Sequence, residues 1–142
     1  MDASPSVVFD LLADPRKHSL IDGSGSVRGI ARGPERLSPG ALFRVQMRVG
    51  VPYQVTNEVV EFEEGRRIAW RHFGHHIWRY ELESLDDDTR TRIIETFDWS
   101  HARSPRLLER MHIPERNARS IEETLTRLND RFNATHGSAR SA

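Results

Sequence analysis

The chain has 142 residues, a formal net charge of zero from 21 basic and 21 acidic side chains, and no cysteine. That size suits one domain able to bury a core and enclose a cavity, the absence of cysteine excludes disulfides and thiol catalysis, and the balanced charge offers no field to draw nucleic acid or an anionic membrane. No apolar run is long enough to span a bilayer and the first residues do not form a signal-peptide pattern, so the expectation is a cytoplasmic protein without a membrane span or a nucleic-acid partner.

Ser4-Pro5 opens the first helix: Ser4 suits the N-cap and Pro5 the first helical position. Val8, Leu11 and Leu12 follow at helical spacing until Asp14-Pro15 stops the run. "HSLIDGSGS", residues 18 to 26, reads as one turn of helix and a glycine-rich link. Strands then come in series. Val27 to Ala31 is short, and in "ALFRVQMRV" Phe43, Val45, Met47 and Val49 share one face opposite Arg44, Gln46 and Arg48. Pro52 marks a turn or an edge, and "YQVTNEVVEFEEG" is a long strand closed by Gly65. "RRIAWRHF", "HIWRYELESL" and "TRTRIIETFDWS" are three more, with Asp86-Asp87-Asp88 as the turn before the last.

Beyond these the period changes. Ala118, Ile121, Leu125, Leu128 and Phe132 form one stripe of a long amphipathic helix, begun or kinked at Pro114. Residues 134–142 show no periodicity and are expected to be a flexible tail after a single domain over 1–133. An antiparallel sheet with one apolar face needs a cover, and this helix can supply it.

Four stretches carry a resemblance: "ASPSVVFDLLADPRKHSLIDGSG", "VVEFEEGRRIAWR", "TRIIETFDWS" and the final amphipathic helix. The chain resembles the START-related helix-grip (SRPBCC) superfamily, in particular its polyketide cyclase/dehydrase-like branch. The resemblance implies an α+β fold, a curved antiparallel sheet of six to seven strands wrapped around a long C-terminal helix. It also implies a cavity between them for lipids, polyketides or other hydrophobic molecules. The family normally has a strand before the first helix, whereas only Met1-Asp2-Ala3 precede Ser4 here. An unpaired edge invites pairing, so a homodimer or a loosened sheet is expected.

Parity orders the stretch "RRIAWRHFGHHIWRYELE". A three-residue loop, Phe73-Gly74-His75, pairs His72 with His76, Trp70 with Trp78 and Ile68 with Tyr80, which puts the apolar side chains on one face. Two imidazoles a strand apart would need further ligands to hold zinc, and with no cysteine the set is incomplete, so no metal and no cofactor is expected. In the last strand Ile93, Glu95, Phe97 and Trp99 share a face. An inward Glu95 would have its pKa raised and could bind a ligand hydroxyl or act as acid or base, with His72, Tyr80 and Asn57 as candidate partners. The plain alternative is a structural ion pair, or the opposite register, which exposes Glu95.

The expected cavity wall comprises Met47, Trp70, Trp78 and Tyr80 with His76 at the rim, continued by Phe97, Trp99, Leu108 and Met111. Asp22 and Ser24 read first as a solvated loop and second as part of the entrance. There is no P-loop, dinucleotide fingerprint or GxSxG elbow. Three functions remain open: binding of a small hydrophobic molecule, a cofactor-independent cyclase or dehydratase using Glu95, His72 and Tyr80, and a protein-interaction module without a ligand.

Overall fold

The computed structural model of the chain describes residues 1–72 and 74–137. Helix α1 spans Pro5–Ala13. The Ser4 hydroxyl accepts the Val7 N–H at 3.5 Å, and Pro5 takes the first turn, where its missing N–H costs nothing. Val8, Phe9, Leu11 and Leu12 are buried on one face. A 3₁₀ turn, Pro15–Lys17, leads into the single turn of α2, His18–Ile21.

Six strands follow: β1 Val27–Arg32, β2 Leu42–Val49, β3 Val51–Glu63, β4 Arg67–Arg71, β5 Ile77–Leu85 and β6 Arg90–Asp98. Each pairs antiparallel with its neighbour in sequence, in the order β1-β2-β3-β4-β5-β6. Two connections show why the chain turns where it does. Gly50, at φ 75°, lets Val49 pair with Val51, and Asp86, Asp87 and Asp88 all adopt positive φ between β5 and β6. Pro52, expected at a turn or edge, lies inside β3 opposite Arg48, one pair after that turn.

The alternation along β2 is realised, with Phe43 and Val45 buried and Arg44 and Gln46 exposed. The hairpin register is the one parity predicts: Ile68–Tyr80 and Trp70–Trp78 are direct pairs. His72 donates its backbone N–H to His76 at 3.4 Å, while Phe73, in the expected loop, lies outside the described residues. Four arginines of the sheet make cross-strand ion pairs: Arg67 with Glu81 at 3.0 Å, Arg71 with Glu58 at 3.1 Å, Arg79 with Glu61 at 2.6 Å and Arg92 with Glu83 at 3.1 Å.

Helix α3 covers Pro105–Arg110. After a break at His112 (φ 56°), α4 runs from Ile113 to Gly137 with Pro114 in its first turn. It continues four residues past the boundary expected at 133, and residues 138–142 lie outside the described part. The sheet curls around α4, with α1 joining the same apolar layer: Leu128 is fully buried in one cluster with Val8, Leu12, Phe43 and Ile68. Ala118, expected in the apolar stripe, is exposed, whereas Thr124 is 4% exposed. The side chains of α4 that line the cavity are polar, Ile121 and Leu125 are half-buried, and Leu128 is the first apolar residue of the helix to be fully buried.

One close approach fixes that helix. A Cβ on Gly23 would meet the Ser120 carbonyl oxygen and lie 2.6 Å from the Thr124 nitrogen. Only glycine lets the loop after α2 press against α4. There the Gly23 N–H reaches Thr124 Oγ1 at 2.9 Å and Arg127 donates to the Asp22 carbonyl at 2.9 Å. At the far edge, Met1 and Thr91 exchange backbone hydrogen bonds of 3.0 Å, so the first residues run along β6 at that point. No helix among the described residues is long and apolar enough to cross a membrane.

Candidate functional site

Between the inner face of the sheet, the α2 loop and the first half of α4 lies a cavity of about 540 Å³. Its sheet wall is aromatic and aliphatic: Phe43, Val45 and Met47 from β2, Trp70 from β4, Trp78 and Tyr80 from β5. The helix side is polar, with Arg116, Asn117, Ser120 and Thr124. Asp22, Ser24 and Ser26 complete that side, so the glycine-rich link does form part of the cavity. The Asp22 carboxylate is already engaged, accepting from Ser24 Oγ at 2.8 Å and from the Val27 N–H at 2.9 Å.

Antiparallel pairing sets the polar groups out in rows. Tyr80 is directly opposite Glu95, and its hydroxyl donates to Glu95 Oε1 at 2.9 Å. Four residues along β4 from that row, His72 faces His76 edge-on with ring centroids 4.6 Å apart, and Asn57 on β3 lies one residue beyond the Glu58–Arg71 pair. The Trp70–Trp78 pair lies between the two polar rows. Three atoms here are buried without a partner: Asn57 Oδ1, His72 Nδ1 and Glu95 Oε2.

Burial governs the protonation of these groups. Desolvation pushes the Glu95 carboxyl up to about 8. The Tyr80 hydrogen bond opposes that rise and the negative charge of Asp22 adds to it. Burial, then repulsion from His76, brings His72 down to about 3, and burial lowers His76 as well. The Tyr80 phenol is raised well above its ordinary value by burial and by Glu95. At neutral pH Glu95, His72 and Tyr80 are therefore uncharged. Because Oε1 accepts from Tyr80, the proton of Glu95 belongs on Oε2, where it can be given to a bound molecule; above pH 8 the same group becomes a base.

Of the residues expected at the site, Met47, Trp70, Trp78, Tyr80, His72, His76 and Glu95 line the cavity. Phe97, Trp99, Leu108 and Met111 do not. The Phe97 ring is taken up by Trp78, His76 and Trp99 at 5.0, 5.2 and 5.8 Å. The Trp99 indole N–H is tied to Glu109 at 3.2 Å. Met111 is 56% exposed because the chain turns at His112, and Leu108 sits on the short helix α3, away from the lining. The trio Glu95, His72 and Tyr80 separates: Glu95 and Tyr80 are bonded, while His72 belongs to the other row with Asn57. The hairpin histidines do not converge either, since His75 Nε2 accepts from Arg103 at 3.2 Å.

Sequence reasoning missed the polar face of α4 and also His18. This histidine is buried, stacked on Trp70 at 4.8 Å, and its Nε2–H is bound to the Leu12 carbonyl at 2.7 Å. Its place directly after the α1 stop, at the start of a one-turn helix, was the available signal.

The family model described as polyketide cyclase/dehydrase and lipid transport matches residues 1–133, and the chain belongs to that family. The uncharacterised protein Rv0088 of Mycobacterium tuberculosis is 38% identical over 136 residues, which are 92% of this chain and 60% of that protein, so the chain spans less than two thirds of this relative's length. Among solved structures, Ms6760 from Mycobacterium smegmatis has a TM-score of 0.68 at 18% identity, covering 96% of this chain and 88% of its own. NE0264 from Nitrosomonas europaea has a TM-score of 0.69 at 14% identity, with 96% and 92% covered. These likenesses concern the fold, which is helix-grip.

Proposed function

We propose that this chain binds one small, largely hydrophobic molecule in the cavity between sheet and α4. The observation that carries the reading is the cavity itself: about 540 Å³ falls within the ~300–1,000 Å³ range of small-molecule sites, and its sheet wall is mostly aromatic and aliphatic. Family membership supports it, because the family description covers lipid transport as well as cyclase and dehydrase activity. Each buried CH₂ contributes ~0.8 kcal/mol against an association cost of roughly 4–15 kcal/mol, so the occupant must be of fatty-acid or polyketide size. Native mass spectrometry of freshly purified protein, followed by organic extraction, tests the reading. The expected result is one small molecule per chain. A bare chain that also fails to take up any of a panel of fluorescent hydrophobic reporters would overturn it.

A second reading is favoured by the Tyr80–Glu95 bond and the unpartnered Glu95 Oε2. In it the family's cyclase or dehydrase type of chemistry runs here, with Glu95 moving a proton to or from the bound molecule and Tyr80 orienting the carboxyl. Glu95→Gln separates the two readings once a reacting molecule is in hand. Turnover lost with binding retained supports the acid/base role; turnover unchanged removes it.

A further inference from the structure

The charges of the chain sum to zero, but the fold does not spread them evenly. Antiparallel order puts the start of β1, the β2–β3 and β4–β5 turns and the exit of β6 into α3 at one end of the sheet. That end is the cavity mouth, where Val49 and Tyr53 of the sheet and Arg116 and Arg119 of α4 join the lining. Residues 99–120 hold five arginines against two glutamates, and residues 46–57 hold Arg48 and no acid. Of the two glutamates, Glu109 accepts from the Trp99 indole and Glu115 lies 4.0 Å from His112. No ion pair joins Arg48, Arg106, Arg110, Arg116 or Arg119 to a carboxylate among the described residues. At the opposite end the arginines are paired: Arg36 with Glu64, Arg66 with Glu63 and Arg90 with Asp86.

The same end exposes apolar side chains. The inward row of β2 and β3 is buried at the Val45–Val55 pair and then runs out from under its cover. Met47 is opposite Tyr53 and Val49 is opposite Val51, which is 69% exposed. Across the mouth, Leu107 on α3 and Met111 between α3 and α4 are also exposed. We infer that the cavity mouth is a docking surface for an anionic lipid bilayer. Val49, Val51, Leu107 and Met111 enter the boundary between headgroups and acyl chains, and Arg48, Arg106 and Arg110 meet the lipid phosphates. An acidic protein surface would match the arginines and leave the apolar side chains unexplained. A second copy joined symmetrically through this end would set arginine against arginine. The inference goes beyond the ligand-binding reading, and it corrects the expectation drawn from total charge: a membrane within a Debye length meets one end of the molecule, not its sum.

Co-sedimentation with vesicles tests this. The full chain should bind vesicles of equal parts phosphatidylcholine and phosphatidylglycerol at least about tenfold more tightly than phosphatidylcholine alone, and about 0.5 M salt should remove most of the difference. Because the chain has no cysteine, one introduced thiol can carry an environment-sensitive fluorophore at a chosen place. A label at Val51→Cys should brighten and shift to the blue on anionic vesicles, whereas a label at Glu64→Cys, at the far end, should not respond. Arg106→Gln combined with Arg110→Gln should weaken vesicle binding roughly 25-fold, about fivefold for each charge. Arg66→Gln at the far end should leave it unchanged. These side chains are all exposed, and the vesicle comparison on the unaltered chain stands even if a variant fails to fold. Equal binding to neutral and anionic vesicles overturns the inference, as does a Val51 label that responds no more than the one at Glu64. No binding to either overturns it in favour of a protein partner, and a dimer by light scattering then identifies that partner as a second copy. Vesicle binding by a chain that takes up no hydrophobic reporter upholds the docking surface while the ligand-binding reading falls.

Discussion

Glu95→Gln on the empty protein gives a quantitative test of the protonation argument. Folding carries the Glu95 carboxyl from an ordinary value of 4.5 to about 8, so between those values the folded chain holds a proton that the unfolded chain has released. Stability from this group is complete below pH 4.5, is lost as pH rises from 4.5 to 8, and is constant above. At ~1.36 kcal/mol per pH unit, roughly 3 kcal/mol has gone by pH 7 and nearer 5 kcal/mol above pH 8. Glutamine keeps an acceptor for the Tyr80 hydroxyl and never ionises. The variant should therefore stand within ~1 kcal/mol of the parent at pH 5, and its advantage should grow by a further ~4 kcal/mol between pH 5 and pH 9. Urea unfolding followed by tryptophan fluorescence, at fixed ionic strength, measures the difference, and titrations common to both proteins cancel. Parallel stability profiles across that range would show that Glu95 is ionised or solvated, and the assignment of its proton to Oε2 would be wrong.

The same titration responds to its neighbours. Tyr80→Phe removes the bond that favours the carboxylate and should move the midpoint of the pH-dependent loss upward, whereas Asp22→Asn removes a negative charge and should move it downward. Gly23→Ala forces a Cβ against the Ser120 carbonyl and should lower unfolding stability by ~1–3 kcal/mol, with a matching fall in affinity for a hydrophobic reporter. Leu128→Ala, at a fully buried position where α4 meets the core, should cost ~2–5 kcal/mol in the same assay. Asn57→Leu, in contrast, should raise the stability of the empty protein by ~1–3 kcal/mol, because a buried oxygen without a partner is removed.

The sheet was legible in the sequence because a strand has a period of two and a hairpin conserves parity. Placing Ile68, Trp70, Trp78 and Tyr80 on one face needed only an odd-length loop, and the inward direction of Glu95 followed from the company of Ile93 and Phe97. The rest of the cavity was not legible, for two reasons. Which apolar side chains line a space and which fill it depends on neighbours distant in sequence, and Phe97 is consumed by Trp78, His76 and Trp99. The helix was read by its apolar stripe, but the half of α4 facing the cavity carries Asn117, Ser120 and Thr124, a pattern that resembles a solvated face until the docking of the helix is known. Gly23 stood in view within "DGSGS", yet its role exists only because α4 arrives 101 residues later.

The strand order has a consequence for how the molecule reaches its native state. Every strand pairs with its neighbour in sequence, so the sheet closes short loops and can form early. The contacts that hold α4 in place are of the opposite kind: Gly23 to Thr124 and Asp22 to Arg127 beside the cavity, and Asp2 to Asn133 beyond it, join residues 101, 105 and 131 apart. The sheet side of the pocket thus assembles by local steps, and its lid must wait for the two ends of the chain to meet. A ligand held under α4 would stabilise the last contacts to form, slowing the local opening of the helix.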